Sequence, residues 1–372
     1  MKVALYSGFF PSAFGGARRA QVLAEFLIRE GHEVTVVTGS ALGPHKELPY
    51  PVIRRPRFSR MVEAARKAEV VHTTLATREI SAVVAGGRRP IITHDLHTAI
   101  CPTGSALSEE GCTASAGCPG PCSSCPRRRD ARARFDMALW RTGIKLAKAN
   151  VCVSRYAAER LGPPRCTMIY NPVDPSVYLA RDLGPGEDGL VVFVGRYDPF
   201  KGLGLLIQAL SLVPGTRLEV VGGGPQNLRE RWEEEARRCG VAKRVQFLGQ
   251  KGLAQILDLY ARAAVVCVPS IYEETFGYVA AEAMAAGRAV VATPKGALPE
   301  LLDEGRGFVS KSLDPIDLAT VLRSAMENPT MKKEAEQRSR CFAESQFAVA
   351  TVGQRYLDLY QQTGVNPSDL AL

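Results

Sequence analysis

The chain has 372 residues, 46% of them hydrophobic and 23% charged, the proportions of an ordinary globular protein with room for two α/β domains. Lysine and arginine outnumber aspartate and glutamate by 47 to 38, a net charge of +9 that suits phosphate-bearing ligands, anionic lipid surfaces or nucleic acid without choosing among them. No uncharged apolar run approaches the ~18 residues that cross a bilayer, and the opening MKVALYS reads as a short strand rather than a signal peptide, so a cytoplasmic protein is expected.

The N-terminal half alternates strands and helices. Lys2 to Ser7 and Glu33 to Thr38 read as parallel strands joined right-handedly through a helix from about Ala17 to Glu30, with Val22, Leu23, Phe26 and Leu27 on its apolar face. Gly15 and Gly16 fall just before that helix, where absent side chains let a ligand approach the backbone and free N–H groups favour an anion. Further strands are expected at Val52 to Arg54, Glu69 to Thr73, Pro90 to His94, Val151 to Ser154 and Met168 to Asn171, the pattern of a doubly wound sheet. His94 ends one of them, on the side where such sheets bind ligands. The basic clusters Arg54, Arg55, Arg57 and Arg60, and Arg127, Arg128, Arg129, Arg132 and Arg134, lack interleaved aromatic residues. A solvated basic face, or peripheral contact with a membrane, therefore reads better than a nucleic-acid partner.

The stretch from about residue 98 to 130 differs in kind. Five of the ten cysteines, Cys101, Cys112, Cys118, Cys122 and Cys125, lie there among Gly, Pro and Ser, and end in Cys-x-x-Cys. A loop so poor in apolar residues cannot order itself by packing, and disulfides are not expected without export. Four of these thiolates around a structural zinc would supply the missing energy, on the order of 10 kcal/mol. His97 could replace one of them, an iron–sulfur cluster would use the same residues, and plain reduced cysteines are the remaining alternative.

A glycine-rich run, Asp182 to Gly189, reads as the linker to a second α/β domain. There the apolar strand Leu190 to Val194 delivers Arg196 and, five residues on, Lys201 ahead of a helix. A planar fork and a point charge so placed form a clamp for a diphosphate. The strand Arg217 to Val221 runs into Gly222, Gly223 and Gly224, which suit close contact with a nucleotide. Strands at Val245 to Leu248, Val265 to Val268, Ala289 to Ala292 and Gly307 to Val309 follow, and the pattern is helical past Asp314. Between two of these strands lies PSIYEETFGYVAAEAMAAG: Glu274 in a loop, and Glu282 in a helix of about Gly277 to Ala286 whose wall is otherwise apolar. A carboxylate in such a wall must find donors or raise its pKa, and sugar or ribose hydroxyls are suitable donors.

Glu274, seven intervening residues, then Glu282, with Phe276-Gly277 between and Glu-Ala-Met after, resembles the signature of the family-4 retaining glycosyltransferases of the GT-B fold. The resemblance covers nearly the whole chain. It extends to Gly195-Arg196 with Lys201-Gly202, to Asn171-Pro-Val-Asp174 with proline for the family's glycine, and to Lys295-Gly-Ala-Leu-Pro-Glu300 with alanine for a second glycine. It implies an α/β protein of two Rossmann-like doubly wound domains facing across a cleft. These would span residues 1–180 (acceptor side, with a cysteine-rich insertion that most members lack) and 187–345 (donor side), with residues 346–372 carrying a helix back to the first. A nucleotide-diphosphate sugar would be the donor and a sugar or other hydroxyl-bearing molecule the acceptor. Arg196 and Lys201 would hold the donor's phosphates, Glu282 the ribose and Glu274 a donor-sugar hydroxyl. Phe276, Gly277 and Tyr278 would offer backbone N–H groups, with His94 and the Gly15-Gly16 loop nearby.

The implied reaction retains anomeric configuration, by front-face attack, without a catalytic divalent metal. Two alternatives stand beside it: a GT-B nucleotide-sugar epimerase or phosphorylase, and a non-catalytic module that binds nucleotide sugar.

Overall fold

The computed structural model describes residues 1–8, 10, 15–39, 48–74, 77–96, 131–178, 184 and 186–363. The five clustered cysteines Cys101, Cys112, Cys118, Cys122 and Cys125, together with His97, lie outside them. The chain divides into two compact units, one built from Met1–Pro172 and the C-terminal segment from Val349, the other from Val173–Ala348.

The first unit runs β1 (Lys2–Ser7), α1 (Gly15–Arg29), β2 (Glu33–Thr38), β3 (Val52–Arg54), α2 (Phe58–Lys67), β4 (Val70–Thr74), α3 (Thr77–Ala85), β5 (Ile91–His94), α4 (Ala131–Leu146), β6 (Ala149–Cys152), α5 (Arg155–Leu161) and β7 (Cys166–Met168). Its strands form one parallel sheet in the order β3-β2-β1-β4-β5-β6-β7, so the winding reverses between β1 and β4. Such a sheet is covered on both faces, which is why its central strands β1, β4 and β5 are buried almost throughout, polar residues included. Gly15 and Gly16 are the first two residues of α1, whereas the sequence places them ahead of it.

The last helix, α14 (Val349–Thr363), belongs to this unit. Its Val352, Tyr356, Leu357, Leu359 and Tyr360 join the core with Leu23, Phe26 and Leu27 of α1. The two helices cross closely: a Cβ at Gly353 would lie 2.5 Å from the Phe26 ring. Polar contacts fasten α14 to the sheet, with His72 of β4 hydrogen-bonded to the Tyr360 hydroxyl at 2.6 Å and to Thr93 Oγ1 of β5 at 2.7 Å.

The second unit contains α6 (Pro175–Tyr178), β8 (Leu190–Val194), α7 (Leu203–Ser211), β9 (Arg217–Val221), α8 (Gln226–Arg238), β10 (Val245–Gly249), α9 (Leu253–Arg262), β11 (Val265–Val268), α10 (Tyr278–Ala285), β12 (Val290–Ala292), α11 (Leu298–Leu302), β13 (Phe308–Val309), α12 (Pro315–Glu327) and α13 (Pro329–Gln346). Its sheet is also parallel, ordered β10-β9-β8-β11-β12-β13, with the reversal between β8 and β11. Its core gathers Leu203, Leu206, Ile207 and Leu210 of α7 with Val191, Phe193, Leu218, Val220, Val265 and Trp232.

Two described residues of the run from Asp182 to Gly189 are held by the second unit. The Gly184 carbonyl accepts from the buried Arg288 guanidinium at 2.9 Å, and Glu187 N–H donates to the Arg262 carbonyl at 2.8 Å. Among the described residues no helix is long and apolar enough to cross a membrane.

Candidate functional site

In an open parallel sheet, the loops leaving the carboxyl ends of two neighbouring strands part where the winding reverses, and the gap between them receives ligands. In the second unit those strands are β8 and β11. The loop after β8 carries Arg196, Asp198 and Lys201; the loop after β11 carries Ser270, Tyr272, Glu273 and Glu274. The fold thus joins residues some seventy positions apart.

After β8, Asp198 accepts a hydrogen bond from Phe200 N–H at 3.0 Å and starts a 3-10 turn over Pro199–Lys201. The turn ends at Gly202, which takes a φ of 75° and lets α7 begin at once. These few residues place the Lys201 ammonium against Glu274, with Nζ 2.8 Å from Oε1. Lys201 Nζ also donates to the Tyr272 hydroxyl at 2.7 Å. Tyr272 in turn donates to Glu274 Oε2 at 2.5 Å, and Ser270 Oγ donates to Oε1 at 2.7 Å.

Burial alone would raise the Glu274 pKa. Lys201 and the hydroxyls of Tyr272 and Ser270 outweigh it and hold this carboxyl below the usual carboxylate range. The Tyr272 hydroxyl is pushed far the other way by burial and by the adjacent Glu274, so it stays a donor. Arg196 extends into solvent, its side chain 74% exposed, with Nη2 3.1 Å from Asp198 Oδ2. Lys295 lies 3.4 Å from Glu273 Oε1. Each of the three cations therefore faces a carboxylate of its own.

Phe276 is buried, edge-on to Tyr278 (ring centroids 5.0 Å apart) and to Phe347 (5.5 Å). Its ring is a core element, and its backbone is what lies at the loop. Gly277 caps α10 with φ 88°, where a Cβ would come within 2.9 Å of Leu298. The helix begins at Tyr278, one residue later than the sequence suggests, and Glu282 on it is half-buried with the Tyr260 hydroxyl 3.4 Å from Oε2.

The glycines after β9 have a packing role whatever they bind. A Cβ at Gly222 would collide with the Gly195 carbonyl at 1.7 Å, and the Gly223 carbonyl accepts from Tyr197 N–H at 3.0 Å.

His94, in the first unit, is 1% exposed. Its partner Asn150 donates through Nδ2 to the carbonyls of Ile144 at 3.1 Å and Pro164 at 2.7 Å, which turns Oδ1 toward His94 Nε2 at 3.0 Å. Nε2 therefore carries the proton, Nδ1 is left without a hydrogen-bond partner among the described residues, and burial pulls the pKa down, so the ring is neutral. The sequence puts His94 at a strand end on the ligand side; the structure keeps it at the end of β5 but encloses it.

Nothing local in the sequence marks Ser270, Tyr272 or Asp198 as a site residue. Only the apposition of the two loops gives them their roles. Among the described residues no three or more His, Cys, Asp or Glu side chains gather as a metal would need.

Residues 14–177 match the family model described as Glycosyltransferase Family 4, and residues 180–342 the one described as Glycosyl transferases group 1. Among curated proteins, a D-inositol 3-phosphate glycosyltransferase of Streptomyces avermitilis is 33% identical over 226 residues, covering 55% of this chain and 48% of that protein. Its namesake in Corynebacterium efficiens is 37% identical over 177 residues, covering 44% and 42%. The chain thus spans about half the length of the curated relatives it matches.

Two solved structures share the fold across nearly all of both chains. Sucrose-phosphate synthase from Thermosynechococcus elongatus has a TM-score of 0.78 at 20% identity, covering 97% of this chain and 98% of that one. HepE of Anabaena, solved in complex with UDP, has a TM-score of 0.77 at 21% identity, covering 97% and 100%. Both units thus have the parallel-sheet, Rossmann-like architecture of GT-B glycosyltransferase structures.

Proposed function

From a chain made of a glycosyltransferase family 4 domain followed by a glycosyl transferases group 1 domain, we propose an enzyme that transfers a sugar from a nucleoside-diphosphate donor to an acceptor hydroxyl with retention of configuration. The observation that carries this reading is the cluster at the β8/β11 reversal, where Lys201 and Glu274 meet 2.8 Å apart with Arg196 on the same loop as Lys201.

In this reading the donor's diphosphate draws Arg196 away from Asp198 and takes the remaining N–H of Lys201. Glu274, kept ionised by its surroundings, accepts from a hydroxyl of the transferred sugar, and Glu282 accepts from the ribose. Phe276, Gly277 and Tyr278 contribute backbone N–H groups, and Gly223 leaves room for the nucleotide. As the glycosidic bond breaks, charge collects on the leaving diphosphate. Fixed cations aimed at that charge stabilise the transition state more than the ground state. The protein then needs no nucleophile of its own, and the acceptor hydroxyl attacks on the face the diphosphate leaves.

HepE was solved with UDP, and the curated relatives are named for D-inositol 3-phosphate, so these are the first donor base and acceptor to try. The test is calorimetric titration with UDP, GDP, ADP and CMP, repeated on Glu282→Ala. One diphosphate should bind selectively and the variant should lose it. Absence of binding by all four would overturn the reading.

A further inference from the structure

We propose that Tyr272 is a positioning residue, whose hydroxyl closes a three-membered ring of hydrogen bonds that fixes where Lys201 directs its remaining N–H. The kinetic part of this inference rests on the transferase reading above; the geometric part does not.

An ammonium on a four-carbon stem is a mobile group with three N–H donors, and a single ion pair leaves it free to swivel about that contact. Lys201 is held at two points. One N–H goes to Glu274 Oε1 at 2.8 Å and a second to the Tyr272 hydroxyl oxygen at 2.7 Å. The Tyr272 proton closes the cycle onto Glu274 Oε2 at 2.5 Å, and the ammonium lies 4.6 Å from the centroid of the Tyr272 aromatic ring. With two of the three tetrahedral donors fixed, the direction of the third is determined. The carboxylate is fixed as well, since Oε1 also accepts from the buried Ser270 at 2.7 Å.

Each ring member does what only it can do. The phenol accepts from the ammonium and donates to the carboxylate; the ammonium only donates, and the carboxylate only accepts. Phenylalanine at 272 would keep the ring and its packing while opening the cycle at two places, which makes Tyr272→Phe a clean probe.

Two measurements on Tyr272→Phe test the proposal. The first is the 15N–1H signal of the Lys201 ammonium in a lysine-labelled sample at neutral pH. In the wild type, hydrogen bonds on two of its protons should slow exchange enough for the signal to be seen, assigned by its loss in Lys201→Arg, and in Tyr272→Phe it should broaden away. A wild type without the signal, or one equally sharp in both proteins, would overturn the proposal whatever the enzyme does.

The second is turnover. A lost hydrogen bond to a charged group should lower kcat roughly tenfold while KM for the nucleotide sugar changes less than threefold. A kcat within twofold of wild type would also overturn the positioning role. If the signal behaves as stated but no donor and acceptor pair is turned over by the wild type, the ring stands and the transferase reading fails.

Discussion

Gly202 and Pro269 touch through their backbones where the 3-10 turn after β8 meets the end of β11. A Cβ at 202 would lie 1.7 Å from the Pro269 carbonyl oxygen, and Gly202 has φ 75°. Alanine there must both adopt a left-handed backbone and push the two loops apart. Gly202→Ala should destabilise by more than about 2 kcal/mol and weaken binding of nucleoside diphosphate by displacing Lys201. Gly215→Ala is the control: it shares the positive φ, 76°, but its Cβ meets nothing within 4 Å. It should cost only about 1 kcal/mol. Equal melting temperatures for the two variants would rule out the contact as the cause.

Removing Lys201 leaves the carboxylate of Glu274 buried without its cation. Lys201→Ala should therefore lower stability by about 2–3 kcal/mol as well as turnover by a factor of about ten or more. Lys201→Ala combined with Glu274→Gln, which removes the stranded charge, should regain most of the stability and none of the activity. Urea unfolding of the three proteins tests this; a double variant as unstable as the single one would mean that the pair's charge is not what stabilises it.

In the proposed reading, Asp198, paired with Arg196 at 3.1 Å, competes with an incoming diphosphate for that guanidinium. Asp198→Asn keeps an oxygen to accept from Phe200 N–H at the start of the 3-10 turn while releasing the guanidinium, whose pairing is solvent-screened. Nucleoside diphosphate should bind up to about fivefold more tightly, and the gain should shrink at high salt. Weaker binding by the variant would show that Asp198 orients Arg196 rather than restrains it.

Glu79, on the first turn of α3, is buried and accepts from Thr73 Oγ1 at 2.9 Å and Thr74 Oγ1 at 3.3 Å. Burial outweighs those two hydrogen bonds and raises its pKa from 4.5 to about 7. Between these two values the folded protein holds a proton that the unfolded chain has given up. Stability therefore falls as pH rises across that window, and the full penalty persists above about pH 7. Its upper bound is on the order of 3 kcal/mol. Glu79→Gln should match the wild type near pH 4 and exceed it in thermal stability at pH 8. A stability difference independent of pH would refute the buried-carboxyl account.

The sequence was most legible where apolar strands are bounded by glycine or proline. Val52–Arg54, Leu190–Val194, Arg217–Val221 and Val265–Val268 occupy the expected residues. It misled at β7. Ile169 and Tyr170 are buried and attract the strand assignment, yet the strand is the more exposed Cys166–Met168 at the sheet edge, where packing imposes little pattern. At the site, the charged residues announced themselves by type, but their pairing could not be read, because it depends on β8 and β11 lying side by side. His94 is a related case: its place at the end of β5 was legible, and its enclosure by Asn150 was not.

The return of α14 to the first unit bears on how the protein is made. Phe26 and Leu27 emerge early from the ribosome, yet the helix that covers them arrives more than three hundred residues later, after the whole of Val173–Ala348. The second unit is continuous in sequence and can fold while synthesis proceeds; the first must wait with an apolar helix face uncovered. A chain ending at Ala348 should therefore leave the ribosome with a folded second unit and an exposed α1, a natural ligand for a chaperone.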